Sequence, residues 1–327
     1  MVTCQIDPAL ERKTLGDFRF PLGVYPVEEM KPKAGYTLHF EPADGGEEED
    51  WEEWPDRYIF DIVASAERVP SLVTVLVSML PGRVFPILDV MGHDAFREID
   101  PFVAYEPVGI EHFMEELHRF KDFLFEDGMC GFGAMAEEPF FYLFVDEHKI
   151  VTVRAEPEMK ERIERILAAF GLEAMEEPAG ADASAHEHRG VLRITDDAPN
   201  LLSMEEIIER LRDQWGLSLN VDPESNTDDD GRELGTTLWR CVLRRVTDDS
   251  PSRYAEVVLY ADCLRQAEDI ALSAVDELDE QADLADSTVI EADRLDDEQL
   301  KAYPGKLRRT KGSKPEAGFV LAKRWIL

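Results

Sequence analysis

Short apolar runs, each closed by proline or glycine, constrain this chain more than any other feature. Tyr58–Ser65 (YIFDIVAS) is rich in β-branched and aromatic residues, which predicts a strand. Pro70 opens Ser71–Leu80 and Pro81-Gly82 closes it, the punctuation of a short helix. Val84–Val90 reads as a second strand. Ile110–Phe125 places Phe113, Leu117, Phe120 and Leu124 on one helical face, and Asp127-Gly128 stops it. Cys130–Met135 reads as a strand, and Phe140–Val145 with Lys149–Arg154 as a hairpin around Asp146-Glu-His148. Met159–Phe170 is a helix ended by Gly171.

The same alternation returns further on. Val191–Ile194 and Leu217–Val221 read as strands, and Ser203 caps a helix over Met204–Trp215 with Glu206 at capping-box spacing. Thr236–Val246 and Arg253–Ala261 pair as a hairpin, Cys263–Leu278 is a helix, and Thr288–Ala292 is a last strand. Between these halves, residues 172–190 lose periodicity and fill with Ala, Gly, Pro and Ser, the composition of a linker. The expected organisation is therefore an irregular segment over 1–56, an α+β domain over 57–171, a linker over 172–190, a second α+β domain over 191–300 and a basic tail over 301–327. Each domain is expected to be sandwich-like, with a mainly antiparallel or mixed sheet and helices on one face. The strand–helix order is compatible with a ferredoxin-like arrangement. Glu67-Arg-Val-Pro70 stands where an ACT-type module needs a glycine-containing turn.

Charge narrows the partners. The formal net charge is −35. Residues 301–327 nevertheless hold eight Lys or Arg against the single acid Glu316, so the body is more acidic than the whole. Such a body disfavours nucleic acid and anionic lipid, whose binding depends on releasing counterions to a positive surface. It favours a basic protein partner, a cation, or simple solubility. No lysine falls between Lys160 and Lys301, and sparse lysine beside excess acid also suits a high-salt habitat. The basic tail is expected to dock on acidic surface of its own chain or of a second copy. The longest apolar run is too short to cross a membrane. Four unpaired cysteines and an N-terminus without an apolar core predict a reducing cytoplasm.

Several local patterns carry candidate chemistry. Asp222-Pro-Glu-Ser-Asn-Thr-Asp-Asp-Asp-Gly-Arg-Glu233 places Asp222, Glu224, Asn226, Asp228, Asp230 and Glu233 at the ligand spacing of a calcium EF-hand loop. Thr227 stands where that loop needs glycine, and the flanks read as strands. Trp51 and Trp54, with Glu52 and Glu53, form an acidic aromatic patch suited to a basic partner. Glu115-x-x-His118 has the helical spacing of a di-iron ligand pair without a second copy. His186-Glu-His188 offers two imidazoles to a borderline metal, with no third ligand visible from the linker. Cys263 opens a helix. No GxSxG, SxxK, Walker or dinucleotide-binding pattern occurs, so no cofactor beyond calcium at 222–233 is expected. The leading expectation is a binding or regulatory module for a basic protein. The alternatives are an enzyme or small-molecule binder with a site expected in the cleft between the two domains, near His93, Asp94, His112 or His118, and a calcium-binding protein.

Overall fold

The computed structural model describes residues 4–43, 54–193, 201–228, 230–247, 250–278, 286–303 and 316–326. It is α+β, with antiparallel strand pairing in several sheets. The chain divides into two units. The first comprises residues 1–90 and 101–220, and the second residues 91–100 and 221–327.

The first unit is built on a nine-stranded sheet. Its strands run in the order Leu217–Leu219, Ile99–Ala104, Arg83–Met91, Cys130–Ala136, Phe141–Val145, Val151–Ala155, Arg57–Val63 and Gly35–Glu41, with Val108–Gly109 paired to the start of Arg83–Met91. This is more than the single βαββαβ unit of a ferredoxin-like order provides. Alternation along the strands sets the faces. Phe141, Leu143 and Val145 are buried while Tyr142 and Phe144 are half-buried, and Val151, Val153 and Ala155 repeat the pattern. The buried residues join Leu72 and Leu76 of helix Val69–Val77, Phe113 and Leu117 of helix Ile110–Arg119, Phe123 of helix Lys121–Glu126 and Leu167 of helix Lys160–Ala169 in one core. Each such side chain contributes roughly 1.5–3 kcal/mol by leaving water. The expected helix over 110–125 is two helices, because Phe120 leaves helical geometry at φ −108°, ψ 22°. Helix Met204–Trp215 has the predicted capping box at Ser203 and a left-handed Gly216 at its end, and it packs into this same core.

Residues 172–190 run along the first unit and are held by it. Tyr36 N donates to Glu173 O and Met175 N to Tyr36 O, and Lys33 pairs with Ala179. His186–His188 then forms an antiparallel ribbon with Val24–Pro26. Non-local hydrogen bonds therefore order a stretch whose composition reads as a linker.

The second unit carries a four-stranded sheet in the order Asp286–Leu295, Thr237–Thr247, Ser250–Ala261 and Val320–Trp325. Helix Leu264–Asp276 buries Ala267, Ala271 and Val275. The last strand comes from the basic tail: Val320–Trp325 pairs with Ala255–Leu259 of its own chain, and Arg324 meets Glu256 at 2.7 Å. Residues 304–315, with most of the tail's positive charge, lie outside the described residues. No described helix is long and apolar enough to cross a membrane.

Candidate metal centre

Three histidines from distant parts of the sequence meet in the first unit. His148 sits in the turn between strands Phe141–Val145 and Val151–Ala155. Asp146 shapes that turn: its N donates to Ile150 O at 3.0 Å, and its Oδ1 accepts from Ile150 N at 2.7 Å. Lys149 occupies the left-handed region at φ 65°. Its Nζ turns inward to Cys130 O at 2.6 Å. His186 and His188 sit two apart on one strand and so project from the same face of the ribbon.

Close backbone packing delivers that ribbon. Gly23 N donates to Glu126 O, Arg189 N to Gly23 O, and Gly128 N to Arg189 O. A Cβ on Gly128 would lie 2.1 Å from Gly23 O, so only glycine permits this crossing. Asp127 is fully buried and clasps the same crossing. Its Oδ1 accepts from Met129 N and its Oδ2 from Val191 N, each at 2.8 Å.

The three Nε2 atoms converge. His148 Nε2 lies 2.9 Å from His186 Nε2, which lies 3.1 Å from His188 Nε2. The opposite ring nitrogens fix the tautomers. His186 Nδ1 faces Ser184 O at 2.7 Å and His188 Nδ1 faces Gly128 O at 2.7 Å. A carbonyl oxygen only accepts, so each Nδ1 carries a hydrogen and each neutral ring presents a bare Nε2 lone pair. His148 Nδ1 faces carboxylates instead, Glu147 Oε1 at 3.3 Å and Asp146 Oδ2 at 3.4 Å. Its proton affinity rises: burial opposes the charged ring, but the Asp146 hydrogen bond and the charges of Asp146, Glu147 and Asp182 outweigh it. His188 shifts down through burial, with smaller contributions from the neighbouring imidazoles.

Three lone pairs aimed at one point need an electrophile. A proton on His148 Nε2 would bridge to His186 and leave the His186–His188 contact between two acceptors. One metal ion satisfies all three at once. Imidazole nitrogens about 2.0–2.1 Å from a tetrahedral zinc stand roughly 3.3–3.4 Å apart. The observed spacings are a few tenths of an ångström shorter. Each ring also has the outer acceptor that orients metal-bound histidines.

The other candidate residues are placed differently. In the loop 222–233, Asn226 is buried. Its Nδ2 donates to Thr237 Oγ1 at 2.9 Å and its Oδ1 accepts from Arg294 Nη1 at 3.2 Å. Asp222 Oδ1 accepts from Glu224 N, and Asp228 Oδ1 accepts from the N of Asp230 and of Arg232. Glu233 bridges Thr227 through the backbone, and Glu224 pairs with Arg265. Among the described residues, the sets that bring ligand atoms together are His148–His186–His188 and Asp146–Glu147–His148. Trp51, Glu52 and Glu53 lie outside the described residues. Trp54 packs edge-on to Phe140 at 5.2 Å, and the Arg57 and Arg154 guanidinium groups lie 5.3 and 5.6 Å from its ring. His112 and His118 belong to the first unit, where their rings face Gln214 O and Met114 O. Glu115 pairs with Arg119. His93 and Asp94 belong to the second, where fully buried Asp94 meets Arg294 at 2.8 Å. Cys263 is the half-buried residue before helix Leu264–Asp276.

No family model, curated protein or solved structure matches this chain.

Proposed function

We propose that the first unit is a zinc-binding module whose ligands are His148, His186 and His188. The observation that carries this reading is the geometry: three Nε2 atoms converge, with the rings oriented by Ser184 O, Gly128 O and the Asp146–Glu147 carboxylates. Neutral imidazoles suit zinc, copper, iron and nickel. Zinc is assigned because its three-histidine coordination needs no redox partner and no thiolate. Carboxylates outside the ligand shell raise the basicity of His148 and add to the attraction for a dication.

The test is metal content. Purified full-length protein, freed of metal by a chelator and reloaded, is expected to bind one zinc equivalent by mass spectrometry. His186→Ala and His188→Ala are each expected to weaken it at least a hundredfold, because two imidazoles cannot close the site. Stoichiometric zinc in both variants would dismiss the reading.

A further inference from the structure

Three protein ligands leave a tetrahedral ion one position short. We infer that the fourth position of this centre is exchangeable and takes an uncharged donor, a water or a neutral nitrogen or carbonyl ligand, in preference to an oxyanion. The inference rests on the zinc reading above and deepens it.

Three observations carry it. Among the described residues, the convergent set at the Nε2 side ends at three imidazoles. The carboxylates of Asp146 and Glu147 approach His148 through Nδ1, the side away from the metal position, so they orient the ring rather than complete the shell. The site is also not sealed: His148 retains 16% of its side-chain exposure and Glu147 19%. Closed structural zinc sites take four protein ligands, whereas three with a water mark a position open to exchange.

The surrounding charge sets the ligand class. Three neutral imidazoles leave a bound zinc with its full double charge. The carboxylates of Asp146 and Glu147 lie 3.4 and 3.3 Å from His148 Nδ1. Two carboxylates beside the site thus stand against the two charges a bound zinc would bring. The carboxylates cancel that positive charge, so an incoming phosphate gains coordination without net attraction and still loses its hydration. An uncharged donor bears no such cost.

The experiment uses full-length protein with cobalt(II) in place of zinc, whose visible bands report coordination. Imidazole and inorganic phosphate are titrated separately at matched ionic strength, with retained metal checked by mass spectrometry. The expected result is a saturable spectral change with imidazole and at least tenfold weaker phosphate binding. In Glu147→Gln, phosphate affinity is expected to rise severalfold relative to imidazole affinity, the ratio being read at equal retained metal. Bound cobalt whose bands respond to neither ligand would mean that the chain itself supplies the fourth donor. That outcome overturns this inference and leaves the metal site standing. Equal or tighter phosphate binding, or a Glu147→Gln variant in which that ratio is unaltered, also overturns it. Failure to retain cobalt or zinc at all would remove the metal reading itself.

Discussion

Asp293 shows how one residue's surroundings become a measurable property. Its carboxyl lies among Glu291, Asp94 and Asp100, with Arg240 Nη1 3.8 Å away. Burial first, then those like charges, push it up to about 7. An ordinary aspartate titrates near 4. Between these values the folded protein holds a proton that the unfolded chain has released. Stability contributed by the protonated form is therefore present at about pH 4 and is lost as pH rises through about 7. Asp293→Asn keeps a neutral side chain at every pH. The variant is expected to match wild type near pH 4.5 and to exceed it by on the order of 1–3 kcal/mol at pH 8. Denaturant melts of both proteins across that range check this, and a difference that does not grow with pH would refute it. Asp94 makes the opposite case. It is fully buried against Arg294 Nε and Nη2. Asp94→Ala strands a buried guanidinium and is expected to cost about 3 kcal/mol or more in the same melts.

At the scale of elements, legibility divides by range. Helix Met204–Trp215 appears where Ser203, Glu206 and Gly216 place it, because capping acts over three or four residues. The hairpin 141–155 follows equally from local alternation. The ribbon His186–His188 does not, because its partner strand Val24–Pro26 lies about 160 residues earlier and neither strand exceeds three residues. Spacing alone put both imidazoles on one face of any extended segment. What the sequence could not show was that residues 172–190 are extended and bonded to the first unit, and that His148 stands opposite. The crossing at Gly23 and Gly128 makes that meeting, and it supplies the test at this scale. Gly128→Ala forces a Cβ against Gly23 O, a backbone atom with no rotamer to yield. The expected loss is about 2–4 kcal/mol. Zinc affinity should fall with it, because Gly128 O orients His188. Leu143→Ala, a cavity elsewhere in the same core, is expected to destabilise by a comparable amount with zinc affinity in the folded protein unchanged. Equal affinity losses in both variants would detach the crossing from the site.

Across the whole molecule, the chain divides into two units, and the candidate ligands all belong to the first. Anything that binds only the folded first unit stabilises that unit by mass action, and free zinc at a hundred times its Kd adds about 2.7 kcal/mol. For a unit of roughly 200 residues this corresponds to a rise of about 5–10 °C in Tm. Calorimetry of the full chain is therefore expected to show two transitions, of which chelator lowers one and leaves the other in place. The one that moves should be the transition that Gly128→Ala also lowers, and the one that stays should be the transition that Asp94→Ala lowers. His186→Ala should lie at the chelated position and no longer respond to chelator. The comparison is made at constant ionic strength, because a chain of net charge −35 responds to any added cation through screening alone. Equal zinc and magnesium shifts in wild type and His186→Ala would reduce the metal effect to that screening. A zinc shift confined to one transition and absent from His186→Ala would tie it to three imidazoles that lie 40 residues apart in sequence at their widest and share one point in the fold.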